Sequence, residues 1–183
     1  MKKIIAIMAL AISSSAFAAS VTVTGANVDG VQGSPNQTQY GLGVKGDFNK
    51  NFAGDVSFLN VQTDNTNALS TRLEAGLTAQ NTYGMFTPYA RVALGEKYTN
   101  TTNFTYYSVE PGVKMPFGKT GITGQIGYRF RNAVTTSNDD TTRTWRAGLS
   151  YAVTKVDSIG LRYDSVRGDQ NQNIVAVSYT RGF

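Results

Sequence analysis

The chain has 183 residues with 17 basic and 12 acidic side chains, and it contains neither histidine nor cysteine. The lack of cysteine excludes a disulfide framework and thiolate chemistry, and the lack of histidine excludes an imidazole base or a Ser-His-Asp arrangement. Its positive charge is mild and not gathered in Lys/Arg clusters, so we expect no nucleic-acid partner.

The chain begins MKKIIAIMALAISSSAFA, which has the pattern of a cleaved export signal. Two lysines precede an apolar run, and small residues follow up to Ala18. A membrane anchor is the alternative, but a span needs about 20 apolar residues, and this run is interrupted at Ser13. We therefore predict a signal peptide at 1–18, cut after Ala18, and an exported domain at 19–183.

From Val21 onward, apolar residues recur at every second position, which predicts β-strands. The main rows are Tyr40, Leu42, Val44 and Phe48; Leu73, Ala75, Leu77 and Ala79; Phe86, Pro88, Ala90, Val92 and Leu94; Tyr107, Val109, Pro111, Val113, Met115 and Phe117; Ile122, Ile126, Tyr128 and Phe130; Trp145, Ala147, Leu149, Tyr151 and Val153; and Ile159, Leu161 and Tyr163. We count about ten runs of roughly 9–12 residues, the length of a tilted strand that crosses a bilayer. Eight strands is the alternative, because the first run, SVTVTGANV, is poor in large apolar residues.

Two features disturb the regular alternation. Leu59 and Val61 fall on the same side of their run as Asp55, and we expect a β-bulge there to change the phase. Pro88 and Pro111 lie within strand runs, where proline removes a ladder hydrogen bond, and we interpret them as bulges near a rim.

The connections between the runs predict two different rims. Those at 49–51, 81–84, 118–121 and 154–157 are tight, whereas VQGSPNQ, TDNTNAL, YTNTTN, TTSNDDTT and GDQNQ are mostly longer and polar. Aromatic residues stand beside the tight turns (Phe48, Phe52, Phe86, Phe117 and Phe183) and toward the loops (Tyr40, Tyr98, Tyr107, Trp145 and Tyr163). Such rims are typical of a transmembrane β-barrel. An even number of strands places both chain ends on the tight-turn rim, which we predict to be periplasmic.

The C-terminal row extends this pattern. Val175, Val177 and Tyr179 alternate, and Phe183 closes the same row. With the export signal and the strands, this row resembles the bacterial outer-membrane β-barrel proteins, and in size the chain is similar to the OmpX, OmpA-transmembrane and opacity-protein barrels. Arg181 departs from the family's pattern, and we expect it to reach lipid phosphates at the interface.

The resemblance implies an all-β, antiparallel up-and-down transmembrane barrel in the cell outer membrane, surrounded by its lipid. It also implies that the last strand closes the barrel against the first. The terminal row Val175, Val177, Tyr179 and Phe183 would be the signal that the barrel-assembly machinery reads.

Three motifs with possible chemistry are better explained by structure. GLGVKG at 41–46 matches a dinucleotide-binding pattern, but its alternation continues a strand and no helix follows, so we place Gly41 and Gly43 on the inner face. The pair Asp139 and Asp140 lacks the ligand spacing of a calcium site, and we expect a solvated loop tip. Glu74 or Glu110 could be imagined as glycosidase carboxylates, but salt bridges to arginine explain them better. We therefore predict no cofactor, no metal and no enzymatic activity.

In a barrel, the polar face of each strand points into the lumen. The basic residues on these faces are Lys45, Arg72, Arg91, Lys114, Arg129, Arg131, Arg146 and Arg162, and the acidic ones are Asp47, Asp55, Glu74, Glu110 and Asp164. The basic excess predicts a narrow porin-like channel for ions and small anionic solutes. The alternative is a closed structural or surface-interaction barrel in which these charges pair across the lumen. The number of strands does not distinguish a channel from a closed barrel, since a barrel of about ten strands is close in size to the small barrels whose interior is filled by side chains.

Overall fold

The computed structural model describes residues 18–64, 66, 68–134 and 140–183, so the predicted signal peptide lies outside the described residues except for Ala18. The strands are β1 (Ala18–Gly30), β2 (Gln37–Asp47), β3 (Phe52–Thr63), β4 (Leu69–Gln80), β5 (Thr87–Tyr98), β6 (Asn103–Pro116), β7 (Ile122–Ala133), β8 (Thr142–Ala152), β9 (Asp157–Gly168) and β10 (Gln172–Gly182). Among these residues, no helix is long and apolar enough to cross a membrane.

Each strand pairs antiparallel with its neighbours in sequence, and β10 pairs with β1, which closes the sheet into a barrel. The closing register runs from Ser20 opposite Gly182 to Gly30 opposite Gln172. β1 is a full strand that also pairs along its length with β2. These pairings confirm the antiparallel up-and-down barrel and the count of ten strands over eight.

The two faces of the barrel are inverted relative to those of a water-soluble protein. Successive side chains of a strand point to opposite faces, so each apolar row lies on one side of the wall. The predicted rows lie outside: Leu94, Trp145 and Val177 are 63%, 62% and 60% exposed. Tyr128 packs edge-on against Phe130 and Trp145 on this outer face. A continuous apolar exterior of this kind suits hydrocarbon and not water.

The start of β1, the C-terminal Phe183 and the connections 48–51, 81–86, 117–121 and 153–156 lie at one end of the barrel, here called the terminal rim. The described residues of the connections 31–36, 64–68, 99–102, 134–141 and 169–171 lie at the opposite end, here called the loop rim. The predicted difference in length is only partly present, because 99–102 and 169–171 are as tight as the turns at the terminal rim. Within 99–102, the Thr99 hydroxyl donates to the Thr102 carbonyl at 2.7 Å and closes a short hairpin.

The predicted aromatic belts are exposed at both rims. All five phenylalanines at the terminal rim are at least 42% exposed, with Phe183 at 76%. Toward the loop rim, Tyr40, Tyr107, Trp145 and Tyr163 are exposed, whereas Tyr98 is half-buried and donates its hydroxyl to Glu96.

The predicted bulges are wrong. β3 keeps one unbroken register with both β2 and β4, so Leu59 and Val61 point into the lumen, and Val61 is almost fully buried there. Pro88 and Pro111 also keep the register of β5 with β6. Between β6 and β7, the pairing stops after Val109 and Phe130 and resumes at Gly112 and Gly127 without a shift. Proline has no N–H to donate, so it leaves a gap in the ladder instead of an extra residue.

Candidate functional site: the barrel interior

One side of the interior is apolar. Ala26 and Val28 of β1, Val166 of β9, and Ile174 and Ala176 of β10 form a buried cluster next to the seam between the first and last strands. These side chains are inward-facing members of strands whose other face is also apolar. This part of the lumen is therefore filled by packing, as in small barrels.

The first ion-pair cluster, which comprises Asp55, Glu74, Arg91 and Arg129, joins β3, β4, β5 and β7. Arg91 binds Asp55 through two parallel contacts, Nε to Oδ1 at 2.9 Å and Nη2 to Oδ2 at 2.5 Å. Its Nη1 donates to Glu74 Oε1 at 2.7 Å, and Arg129 Nη2 donates to the other oxygen of Glu74. Glu74 thus links two arginines that come from different walls of the barrel.

The second ion-pair cluster, which comprises Glu110, Arg146, Arg162 and Asp164, joins β6, β8 and β9. Arg146 binds Asp164 through Nε to Oδ1 at 3.0 Å and Nη2 to Oδ2 at 3.3 Å, and its Nη1 donates to Glu110 Oε2 at 2.6 Å. Arg162 Nε lies 3.1 Å from Asp164 Oδ2. The Tyr89 hydroxyl donates to Glu110 Oε1 at 3.0 Å. The arrangement around Arg146 repeats the one around Arg91.

Both clusters are largely removed from solvent, with Glu110 and Asp164 only 2% and 3% exposed. Buried charges lose hydration energy, which bidentate guanidinium–carboxylate contacts offset. Glu74 and Glu110, the two carboxylates considered above as glycosidase groups, are each bound to arginine. The predicted salt bridges from these carboxylates to arginine are therefore present.

Asp140 was predicted to lie at a solvated loop tip, and this is wrong. It is 4% exposed, and its carboxylate contacts Arg131 Nη2 at 2.6 Å and Lys97 Nζ at 3.5 Å. Burial raises the pKa of Asp140, but the positive charges of Arg131 and Lys97 outweigh burial and leave the pKa below its ordinary value. Asp140 is thus held in the barrel mouth by Lys97 and Arg131, and these three residues are here called the rim cluster. Its neighbour Asp139 lies outside the described residues.

Three lumenal glycines make room for large inward side chains. A Cβ at Gly95 would meet the Tyr106 hydroxyl at 2.5 Å, and one at Gly112 would meet the Tyr89 hydroxyl at the same distance. A Cβ at Gly76 would lie 2.6 Å from Arg91 Nη2. Each side chain therefore crosses the strand opposite it at a position where only hydrogen fits.

The remaining predicted lumenal residues also lie inside the barrel. Lys45 pairs with Asp47 at 2.6 Å near the terminal rim. Lys114 donates to Gln80 Oε1 at 3.3 Å and lies over the Tyr89 ring. Arg72 forms none of the ion pairs found among the described residues. Their part in conduction stays a prediction.

Sequence reasoning missed Lys97, Tyr89 and Tyr106 as interior residues. Lys97 lies an even number of residues after Arg91 on β5, so strict alternation along that strand would have placed it on the same inner face. Tyr106 lies next to Tyr107, which occupies the outer row, and parity alone separates the two. Asp140 carried no such signal, because alternation does not extend into a loop.

The predicted terminal row lies on the outer face of β10. Val175, Val177, Tyr179 and Phe183 are all exposed, and the Phe183 amide donates to the Ala19 carbonyl at 2.8 Å. Recognition of this row by the assembly machinery stays a prediction. Arg181, expected to reach lipid phosphates, has its Nη1 3.7 Å from Asp157 Oδ1.

Residues 41–46, which matched the dinucleotide-binding pattern, lie within β2 and pair with β1 and β3. Gly41 faces the lumen, where an added Cβ would lie 3.3 Å from Leu59. No turn into a helix follows, so the backbone cannot form a pyrophosphate cradle here.

Two hollows lie in the loop-rim half of the interior. The mouth hollow has a volume of about 410 Å³ and is lined by Gln37, Thr63, Ser70, Lys97 and residues of connection 99–102. Below it, a cavity of about 70 Å³ is lined by Arg129, Arg131, Arg146 and Arg162 together with Asp164. Arg72 and Gln170 line both hollows, so they lie between the mouth and the cavity.

Comparison with known proteins agrees with this architecture. The chain matches the family described as "Outer membrane protein beta-barrel domain" over residues 4–180. No curated protein matches the chain in sequence.

Three solved structures show the same kind of barrel. The NanC porin is 9% identical, with a TM-score of 0.53 over 88% of this chain and 98% of its own. The beta domain of the Bordetella autotransporter BrkA is 11% identical, with a TM-score of 0.53 over 92% of this chain and 100% of its own. The translocator domain of NalP from Neisseria meningitidis is 8% identical, with a TM-score of 0.50 over 100% of this chain and 93% of its own. At these identities the likeness concerns the fold alone.

Proposed function

Because the chain belongs to the outer membrane β-barrel protein family and resides in the cell outer membrane, we propose that its barrel is a narrow, porin-like path for small ions that favours anions. One observation carries this proposal, the excess of positive charge in the interior. Of the described residues that face inward, nine are basic and six are acidic. The basic ones are Lys45, Arg72, Arg91, Lys97, Lys114, Arg129, Arg131, Arg146 and Arg162, and the acidic ones are Asp47, Asp55, Glu74, Glu110, Asp140 and Asp164.

Charges that line a low-dielectric passage raise the local concentration of ions of opposite sign. The first and second ion-pair clusters bridge different strands across the interior and narrow any path through it. An ion must therefore pass between arginine side chains that remain tethered to carboxylates. We expect a small conductance, and we expect anion selectivity because the nine inward basic side chains outnumber the six acidic ones. The likeness to a structure described as the NanC porin supports a channel at the level of fold.

The test is single-channel recording of the refolded protein in a planar bilayer, with the reversal potential measured in a salt gradient. We expect discrete steps and a reversal potential that favours anions. Replacing Arg129 and Arg146 with glutamine reduces the anion preference if they line the path. Lys114→Gln, which removes a lumenal charge outside both clusters, shifts the preference in the same direction, and outward-facing Arg143→Gln is the control. Unchanged selectivity in the lumenal variants would contradict the assignment.

A second function is favoured by the ion pairs themselves. If the two clusters and the apolar cluster beside the seam keep the lumen shut, the protein is a structural or surface-interaction barrel, and its loop rim is the part that matters. A barrel shown to be folded by heat-modifiable gel mobility, yet silent in the bilayer, would establish this alternative.

We further propose that the terminal rim faces the periplasm and the loop rim faces outward. The start of β1 and the end of β10 lie at the terminal rim, which is the side from which an exported chain would insert. The outer row Val175, Val177, Tyr179 and Phe183 would then be presented to the barrel-assembly machinery during insertion. Proteolysis of a tag placed in connection 134–141 on intact cells tests the orientation.

A further inference from the structure

The small cavity beneath the mouth has an unusual lining. Five arginines and a single carboxylate, Asp164, surround a volume of about 70 Å³. Asp164 is already bound to Arg146 and Arg162, and the carboxylates of Glu74 and Asp140 hold Arg129 and Arg131 from outside the lining. Among the described lining residues, no further carboxylate remains for Arg72.

The same lining leaves several donors without an acceptor. Seven buried side-chain polar atoms of the described residues lack a hydrogen-bond partner, and five of them are nitrogens of residues that line this cavity. They are Gln39 Nε2, Arg72 Nε, Arg129 Nε, Arg131 Nε and Arg162 Nε; the last lies 3.1 Å from Asp164 Oδ2 but is not aligned for a hydrogen bond. Gln39 and Arg131 are only 3% and 4% exposed. Buried donors without partners are costly, and so many around one space call for an acceptor inside it.

We propose that this cavity is a binding site for a small oxyanion such as phosphate or sulfate, reached from the loop rim. The guanidinium fork matches the oxygens of such anions in charge and geometry. The cavity volume of about 70 Å³ has room for one compact anion. The anion supplies the acceptors and the negative charge that the lining lacks.

Arg72 is the entry residue of this site. It lines both the cavity and the mouth hollow, and Lys97 of the rim cluster lines the mouth beside it. An anion that enters the mouth thus meets positive charge before it reaches the cavity. The site deepens the proposed anion preference but does not require an open path, because a closed barrel would bind the same anion from the loop rim.

Binding is tested on the refolded full-length barrel in detergent micelles. We titrate sodium sulfate, and separately inorganic phosphate, against sodium chloride at equal ionic strength, and follow the thermal unfolding midpoint and the heat of binding. A ligand that binds the folded state raises the midpoint in a saturable way. We expect saturation with the oxyanions, and no comparable effect of chloride.

Arg72→Gln should weaken the apparent affinity by about tenfold or more, because one charge-assisted contact is lost without breaking an ion pair. Gln39→Leu removes a neutral donor and should weaken it less. Lys45→Gln removes the same charge near the terminal rim and should leave the affinity unchanged.

Sulfate also stabilises proteins generally by exclusion from their surface. A midpoint that rises linearly in the wild type and in Arg72→Gln alike, with no heat of binding, would therefore overturn the site. Conductance reports separately on the proposed function. If the barrel conducts anions but does not bind sulfate, the channel proposal stands and the binding site is refuted. If it binds sulfate but does not conduct, the binding site stands and the channel proposal is refuted.

Discussion

At the scale of single residues, Arg91 and Arg146 are the central residues of the first and second ion-pair clusters. Each binds an aspartate on one strand through two contacts and a glutamate on another through one. A guanidinium suits this task because its five donors are fixed in a plane, whereas a lysine ammonium cannot make parallel contacts. The glutamates are the more vulnerable partners, since each compensates arginine charge that is deeply buried.

Glu74→Gln should therefore destabilise the barrel strongly. The substitution leaves Arg91 and Arg129 with one fewer carboxylate in a buried site, and removal of one partner from a buried pair costs about 3–5 kcal/mol. Urea unfolding of the refolded protein measures the change. Glu96→Gln, on the outer face of β5, is the matched control and should cost less than about 1 kcal/mol. Equal effects of the two substitutions would show that the cluster adds nothing beyond a surface contact.

Asp140 predicts a pH dependence. Its pKa is lowered in the folded barrel by Arg131 and Lys97 against the opposing effect of burial, and Arg72 adds positive charge nearby. The ion pairs therefore contribute stability above the ordinary aspartate pKa of about 3.9, and that contribution is lost as pH falls through the lower pKa of the folded state. Asp140→Asn should lower stability at pH 7 by roughly 1–3 kcal/mol. The difference from wild type should shrink below pH 4, and a difference that stays constant with pH would contradict the assignment.

At the scale of strands, pairs of glycine and tyrosine control the contact between neighbours. Tyr106 of β6 lies over Gly95 of β5, and Tyr89 of β5 lies over Gly112 of β6, so the two strands exchange the same arrangement. The rings occupy the lumen directly against the backbone.

Gly95→Ala should displace the Tyr106 ring and cost about 1–3 kcal/mol, the usual range for overpacking a filled interior. Gly46→Ala in β2 is the matched control, because an added Cβ there would meet no atom within 4 Å. Unfolding midpoints of the two variants measure the contrast. A Gly95→Ala barrel as stable as Gly46→Ala would mean that Tyr106 moves freely.

The exposed C-terminal row of β10 leads to a prediction about insertion of the barrel into the outer membrane. Phe183→Ala should reduce the amount of barrel inserted in cells severalfold, while the stability of protein refolded in vitro changes by less than about 0.5 kcal/mol, as for an exposed surface position. Phe52→Ala, another exposed aromatic at the terminal rim, should leave insertion unchanged. Quantitative blotting of outer-membrane fractions compares them, and equal insertion of both variants would deny Phe183 a special role.

The strands could be predicted from the sequence because apolar and polar residues alternate in most of the strand segments. The same alternation identified Arg91, Glu110 and Arg146 as inward-facing residues. It could not reveal which charges meet, since Glu110 and Arg146 lie on strands separated by β7. A bulge was wrongly predicted at Leu59 and Val61. The prediction assumed that apolar side chains face lipid, whereas part of this lumen is itself apolar. The burial of Asp140 could not be predicted, because Asp140 lies in a loop, where strand alternation gives no information.

At the scale of the whole molecule, the first and second ion-pair clusters adjoin each other inside the barrel, because Arg91 and Glu110 are cross-strand partners on β5 and β6. Neutralising one carboxylate frees an arginine in one cluster and leaves the other cluster intact. Glu74→Gln combined with Glu110→Gln should raise the single-channel conductance and anion preference more than the two single substitutions together. Planar-bilayer recording measures this, with Glu96→Gln as the control. An additive response would show that only one cluster obstructs the path.

The distribution of the ion pairs around the wall has a consequence for how the barrel forms. Neither ion-pair cluster includes a residue of β1, β2 or β10; the seam is held by backbone rungs, the Thr22–Thr180 hydroxyl contact at 2.8 Å and apolar packing. The two ion-pair clusters, which lie between β3 and β9, can thus form while the edges of the sheet are still apart. The charges of the two clusters would then enter the bilayer already paired. The final joining of the edges then separates or orphans no charge, so this junction can open and reclose at the lowest electrostatic cost.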